Sequence, residues 1–406
     1  MSDRRPPLLF LSWDCPWPPH SGAALRTFGL LGQITREYPI DLVLLTRRPL
    51  TAAQTDALMK VTRSITRIPM RDVSPSDRVR ILWTMLRLGY PYHSAVLEVS
   101  LKKDPDLRHR LLEFPGIVFT SQGHWGALAY HQRASHWILN QCDADVEFWR
   151  AYAHQIPNPA IKALALGNYR LSRRHFPSIY AHVGHIISVC DEDRRLTLEL
   201  APAAQVDVIE NGVDCSYFSP DRAGRTKPAR RLLFTGSAAP RNQAALHDFA
   251  RHIFPLIKRQ IADAELIVAG AFSPEIQSRF RRYHDIRFTG FVDDIRPFFN
   301  QSDVFIAPFK DSHGSKLKVG EAMSMGMAIV STPAGVRGFA LADGESVLIG
   351  RTAVQFAENV ILLLQDQEKR SALGAAARQV ALATIDWRVL GNRLLKIIEK
   401  TEPNLE

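Results

Sequence analysis

"HGSKLKVGEAMSMGMAIVST", residues 313–332, places small and charged residues where a helix should begin, between the apolar runs DVFIAPF (303–309) and AIVST (328–332). The pattern predicts a buried strand over DVFIAPF, a loop over 310–317 and a helix over KVGEAMSMG. Loops at the carboxyl ends of strands are where open α/β sheets bind ligands. Gly314 lets the backbone come close, Ser315 is the expected N-cap, and free N–H groups at the helix start suit an anion, with Lys318 in the first turn. Lys318 and Glu321 are three apart and share a helix face. They are either a surface ion pair worth well under about 1 kcal/mol, or a ligand pair. In the second case Lys318 meets phosphate charge and Glu321 accepts from the neighbouring hydroxyls of a sugar. Spacing alone does not choose.

Working outward, the same alternation covers the chain. LLFLSW, DLVLLT, GIVFTS, HWILNQ and HIISVC before residue 200, then RLLFTG, ELIVAG, IRFTGF, DVFIAPF, AIVST and SVLIG after 230, are short buried runs separated by helix-like stretches. They predict a parallel α/β sheet in each half. At 406 residues the chain is too long for one ordinary core. Two Rossmann-like domains are therefore expected, over 1–218 and 232–385. The polar, Pro-bearing stretch 219–231 between them is expected to be a linker. DWRVLGNRLLKIIEK carries apolar residues at helical spacing and predicts a terminal helix, over 386–406, that returns to the first domain.

The charge is basic, +10 overall with pI near 9.6. Residues 1–200 hold 25 Lys and Arg against 18 Asp and Glu, so the excess lies mainly in the first half. An anionic partner fits, either a phosphorylated ligand or an acidic membrane; a solvated basic surface is the plainer reading. Nucleic acid is not expected, because there is no zinc-finger spacing and no basic stripe with interleaved aromatics. The cysteines Cys15, Cys142, Cys190 and Cys215 include no CxxC pair, which argues against a disulfide framework and fits a reducing cytoplasm. The first apolar run is too short for a signal peptide or a membrane span. SDRVRILWTMLRLGYPY, within 76–92, mixes Arg78, Arg80 and Arg87 with Ile81, Leu82, Trp83, Met85 and Leu86. It reads either as an ordinary domain helix or, over 76–90, as a peripheral contact with an anionic membrane.

GSKLKVGEAMSMGMAIVSTPAGVRG resembles the donor-sugar and ribose motif of retaining glycosyltransferase family 4, whose two Rossmann-like domains face each other across a cleft (the GT-B fold). PWPPHSGAALRTFGLL, ENGVDCSYFSP, RLLFTGSAAPRN, RFTGFVDDIRPFFNQSDVFIAPF and DWRVLGNRLLKII resemble further family segments, in the family's order. The closest likeness is to the branch that builds bacterial exopolysaccharides and surface glycans. The resemblance implies a nucleoside-diphosphate sugar donor, with a UDP or GDP carrier, and a hydroxyl acceptor on a glycan or lipid-linked glycan. It implies that Glu321 binds the ribose and that Lys318, Gly314, Ser315 and Leu317 face the diphosphate or sugar. Val292 then meets the base, and Gly236, Ser237 and Asn242 line the donor loop. On the acceptor side it implies Ser21, Gly22, His124, Asp143 and Asp145. Gly22 is also expected to permit a tight strand-to-helix turn.

Four positions depart from the family pattern. His313 stands where a carboxylate often touches the donor sugar. Ser237 and Asn242 replace an Arg and a Lys that bind the diphosphate, so the adjacent Arg241 is the substitute cation. The first-domain histidine falls near Cys142, where Asp143, Asp145 and Glu147 either orient an acceptor or simply begin a helix. Asp293 and Asp294 read as a helix start, so no metal and no other cofactor is expected. The mechanism implied is same-face attack, with Lys318 and Arg241 stabilising the departing diphosphate. The departures keep two alternatives open: a non-catalytic glycan-binding relative, and a nucleotide-sugar 2-epimerase of the same fold.

Overall fold

The computed structural model describes residues 5–402 except 20, 73, 129–133, 142–144, 157, 222–229 and 311–315. These residues form two compact units, Met1–Glu210 with Gly391–Glu406, and Asn211–Leu390. Among them no helix is long and apolar enough to cross a membrane.

The first unit is built on a seven-stranded parallel sheet: β1 (Leu8–Trp13), β2 (Ile40–Thr46), β3 (Ser64–Pro69), β4 (Val118–Thr120), β5 (Ala134–Asn140), β6 (Val183–Ser188) and β7 (Val206–Val208), in spatial order 3-2-1-4-5-6-7. Leu9, Leu11, Val43, Leu45, Val118 and Leu139 are buried from one side of this sheet beneath helical residues such as Val96 and Phe176. Burial on both faces is why these strands read as continuous apolar runs rather than alternating ones. The sequence runs predict all of these strands except β3 and β7. Both are edge strands; β3 is half-solvated, with Ser64 and Pro69 exposed, and β7 is only three residues long.

The second unit carries a six-stranded parallel sheet: β8 (Arg231–Thr235), β9 (Glu265–Ala269), β10 (Ile286–Gly290), β11 (Val304–Ala307), β12 (Ala328–Ser331) and β13 (Leu348–Ile349), in order 10-9-8-11-12-13. Relabelled from the unit's own start this is 3-2-1-4-5-6, the doubly wound order of dinucleotide-binding folds. Leu232, Phe234, Val268, Phe305, Ile306 and Val330 centre its core.

The first unit ends at Glu210 rather than at residue 218. The segment after it is tied to the second unit, because the Val213 amide donates to the Ile385 carbonyl at 2.8 Å and the Ser324 hydroxyl donates to the Phe218 carbonyl at 2.7 Å. Most of the expected linker, 222–229, lies outside the described residues. The last helix, Trp387–Thr401, begins in the second unit, and its residues from Gly391 group with the first.

The end of the first unit is held by a buried arginine. Arg26, on the Gly22–Ile34 helix, is 1% exposed and bonds Asn140 Oδ1 at 2.7 and 2.9 Å, the Ile209 carbonyl at 2.8 Å and the Glu210 carbonyl at 3.0 Å. Replacing it by Leu strands these buried acceptors, each a charge-assisted bond in place. Arg26→Leu is expected to lower stability by about 3 kcal/mol or more in chemical denaturation.

Candidate active site

The strand order reverses direction between β8 and β11, and this switch point is where a doubly wound sheet opens a crevice. The register shows how it opens. β8 pairs with β11 only through Leu232 and Leu233, opposite Val304 and Phe305, whereas β8 and β9 pair through to Thr235 and Ala269. The carboxyl ends of β8 and β11 therefore part.

Lys318, the second residue of the Leu317–Ser324 helix that follows β11, reaches across this gap. Its Nζ donates to Asn242 Oδ1 at 2.8 Å, and Asn242 Nδ2 donates to the Ser237 carbonyl at 2.9 Å. Asn242, expected on the donor, is 5% exposed and has both ends of its amide engaged, so it holds Lys318 in place. Gly236 makes room for this clamp: a Cβ there would lie 2.7 Å from Lys318 Nζ and 2.8 Å from Asn242 Nδ2. Gly270, just past β9, has φ +132, and a Cβ would stand 1.9 Å from the Gly236 carbonyl oxygen. Gly290 closes β10 with φ +74 and accepts from the Gly270 amide at 3.2 Å. Three neighbouring strands thus end in glycine, leaving a floor of main chain beside Lys318.

Lys318 Nζ lies 5.2 Å from the ring centres of both Phe234 and Phe309. Burial pushes its pKa down to about 7; Arg241 and Lys316 act the same way, and Glu321 opposes them. Burial raises the Glu321 carboxyl to about 7, against the pull of Lys318. The two are half-buried and make no ion pair with each other, so the surface ion-pair reading does not hold. Glu321 has no side-chain hydrogen bond among the described residues. Arg241, exposed on the Pro240–Asp248 helix, has no ion pair among them and faces Lys318 through its charge.

Leu317 opens its helix half-buried, and Val292 is half-buried beside Phe291, which is 68% exposed. His313, Gly314 and Ser315 lie outside the described residues. The helix is preceded at the cap position by Lys316, without a side-chain cap bond, and the cap expected from Ser315 falls outside the described residues. Asp294 accepts from the Arg296 amide at 3.0 Å and pairs with its guanidinium, at the start of the Arg296–Gln301 helix.

In the first unit, Ser21 caps the Gly22–Ile34 helix, its hydroxyl accepting from the Ala24 amide at 3.2 Å. Gly22 is the first helical residue and has no positive φ, so it makes no special turn; the left-handed residue of this loop is Asp14, φ 73. His124 lies in a short 3-10 turn, its ring centre 4.4 Å from that of His93 with the rings tilted by 43°, and burial holds both imidazoles neutral, His93 at about 4. Neither ring's Nδ1 has a hydrogen-bond partner among the described residues. Asp145 begins the Asp145–Gln155 helix, and Asp143 lies outside the described residues. A cleft of about 680 Å³ adjoins this cluster at the ends of β1, β2 and β3, lined in part by Trp13, Asp14, Arg47, Asp72, Tyr92 and His93. Sequence reasoning missed Asp14, Arg47, Asp72 and His93. It also missed Gly270, whose signal was an apolar run ending in glycine, as in RLLFTG. Among the described residues no group of His, Cys, Asp and Glu could hold a metal ion.

Residues 229–366 match the family model for glycosyl transferases group 1. A GDP-mannose-dependent alpha-(1-6)-phosphatidylinositol monomannoside mannosyltransferase of Mycobacterium tuberculosis is 25% identical over 224 residues, 49% of this chain and 57% of that protein. A phosphatidyl-myo-inositol mannosyltransferase of Mycolicibacterium smegmatis is 28% identical over 226 residues, 52% of this chain and 56% of that protein. The chain spans little more than half the length of these curated relatives. Sucrose-phosphate synthase from Thermosynechococcus elongatus superimposes with TM-score 0.66 at 14% identity, covering 97% of this chain and 98% of that one. Anabaena HepE in complex with UDP does so with TM-score 0.64 at 12% identity, covering 97% and 100%. The fold is the GT-B fold, with a parallel α/β sheet in each unit.

The two shifted groups give a pH signature. The folded chain keeps the Glu321 proton that the unfolded chain gives up between pH 4.5 and 7, so this group's contribution to stability is lost as pH rises through that window. Lys318 works in the opposite sense, since the unfolded chain holds its proton from about 7 to 10.5, and its contribution is lost as pH falls toward 7. The melting advantage of ligand-free Glu321→Gln over wild type is expected to grow from pH 4.5 to 7. A difference that stays constant across the window would place the carboxyl at its ordinary value.

Proposed function

We propose that the chain is a retaining, metal-independent glycosyltransferase. It moves a hexose-type sugar from a nucleoside-diphosphate sugar to a hydroxyl acceptor on a glycan or lipid-linked glycan, in the synthesis of bacterial surface polysaccharide or exopolysaccharide. The observation that carries this reading is Lys318, clamped by Asn242 over strand-end glycines with Glu321 one turn along, inside the segment that matches the group 1 model.

In this reading Lys318 faces the donor diphosphate. Burial has removed the water that would otherwise solvate its ammonium, and a phosphate beside it restores full charge, so attraction grows as the leaving group takes up negative charge. Arg241 adds a guanidinium fork to the same phosphates. Glu321 accepts from the two ribose hydroxyls. His313, Gly314, Ser315 and Leu317 continue toward the sugar, Val292 meets the base, and Gly236, Ser237 and Asn242 form the loop beneath. On the acceptor side stand Ser21, Gly22, His124 and Asp145, with Asp143 orienting the attacking hydroxyl. With same-face attack the departing phosphate itself takes the acceptor proton, so no separate base is required. The named dependence of a relative on GDP-mannose and the capture of UDP by HepE support testing both carriers.

Melting with a panel of GDP- and UDP-sugars tests the donor site. A ligand at a hundredfold its dissociation constant adds roughly 2.7 kcal/mol to folded-state stability. One nucleotide class is expected to raise the melting temperature without added divalent metal, and Glu321→Ala to abolish the shift. No shift with any of them would overturn the reading. With the active donor, Lys318→Ala is expected to lower turnover by about a hundred- to a thousandfold, the scale of one lost charge-stabilising donor.

A further inference from the structure

The Pro75–Leu88 helix of the first unit turns most of its apolar side chains away from the core. Its inward residues are Asp77, Ile81 and Thr84, at 6, 3 and 1% exposure. Val79, Leu82, Trp83 and Leu86 are 68, 54, 51 and 78% exposed. At a spacing of i, i+3, i+4 and i+7 these four form one outward stripe about 100° wide, opposite the buried face.

Cations edge the stripe. At 3.6 residues per turn Arg80 and Arg87 fall beyond Trp83 on one flank, and Arg78 falls beyond Leu82 on the other. All three are exposed, and the Arg87 guanidinium lies 4.7 Å from the Trp83 ring centre. The helix contains one acid, Asp77, on the buried side; its carboxylate lies 3.5 Å from the Arg80 guanidinium, whereas Arg78 and Arg87 make no ion pair among the described residues. The outer half therefore carries apolar surface and positive charge with no anion. Burying such a stripe against a second copy of itself would bring arginines against arginines, a repulsion that a two-fold interface cannot avoid. A surface that is apolar within and negative at its rim satisfies both parts.

We propose that this face docks on an anionic lipid bilayer, with the helix lying in the interfacial plane. Val79, Leu82 and Leu86 enter the acyl boundary, Trp83 sits at headgroup level, and Arg78, Arg80 and Arg87 meet lipid phosphates. The proposal stands on this helix alone and does not depend on the donor site.

Cosedimentation with vesicles of phosphatidylcholine, with and without phosphatidylglycerol, tests it. The full chain is expected to bind the anionic vesicles, and to bind them less as salt is raised. Leu82→Asp with Leu86→Asp removes binding, and Arg78→Glu with Arg87→Glu weakens it by about fivefold or more for each arginine. Because these side chains are exposed, the variants keep the wild-type melting temperature, and any nucleotide-sugar shift is unaffected, which separates failure here from failure of the transferase reading. Absence of wild-type binding to anionic vesicles, or binding that the variants leave intact, would overturn the proposal. So would a concentration-dependent dimer in sedimentation that Leu86→Asp abolishes, which would assign the stripe to a second copy.

Discussion

The hydrogen bond between Lys318 and Asn242 spans the place where the second sheet changes direction. Asn242 belongs to the crossover that leaves β8 for β9, and Lys318 to the crossover that leaves β11 for β12. The two crossovers run to opposite sides of the sheet, and β8 and β11 pair only at their amino ends. One bond at 2.8 Å therefore fixes a cation over an opening that the topology itself creates. The low-dielectric surroundings that loosen the lysine's proton also make its charge more effective whenever an anion is present.

The first unit follows the same order through six strands, adds a seventh at the edge, and treats its switch point differently. β1 and β4 pair through Leu11 and Thr120, and beyond that the Trp13 amide donates to Ser121 Oγ and Gln122 Oε1, both at 3.1 Å. Side chains close the gap that glycines leave open in the second unit. The space moves instead to the ends of β1, β2 and β3, where the Arg47 and Asp72 pair and the neutral imidazole of His93 face a cleft. The same chain order thus yields a charged, main-chain-floored site in one unit and a side-chain-walled one in the other.

Much of this was legible in the sequence because buried parallel strands are continuous apolar runs, and most strands announced themselves that way. Edge strands do not: β3 is half-solvated, with Ile68 its one fully buried residue, and β7 is too short to show a pattern. Lys318 and Glu321 stood out through their place after a strand and before a helix. The partner of Lys318 did not, because the bond joins residues 76 apart through a fold that local spacing cannot see. Orientation was equally hidden in the Pro75–Leu88 helix. Its apolar residues extend around most of the circumference, so only packing reveals that Ile81 faces inward while Leu82, Trp83 and Leu86 do not.

The three glycines of the second sheet carry a consequence for how this protein tolerates change. Each is constrained for a different reason: Gly270 by a collision with main chain together with a left-handed backbone, Gly290 by backbone conformation alone, and Gly236 by the ends of two movable side chains. In a mutational library the first two positions would be purged through loss of abundance. An alanine at Gly236 would persist at normal abundance while displacing Lys318 from Asn242. A map of abundance set beside a map of activity would therefore trace the ligand floor without any ligand, by the one glycine at which the two maps disagree.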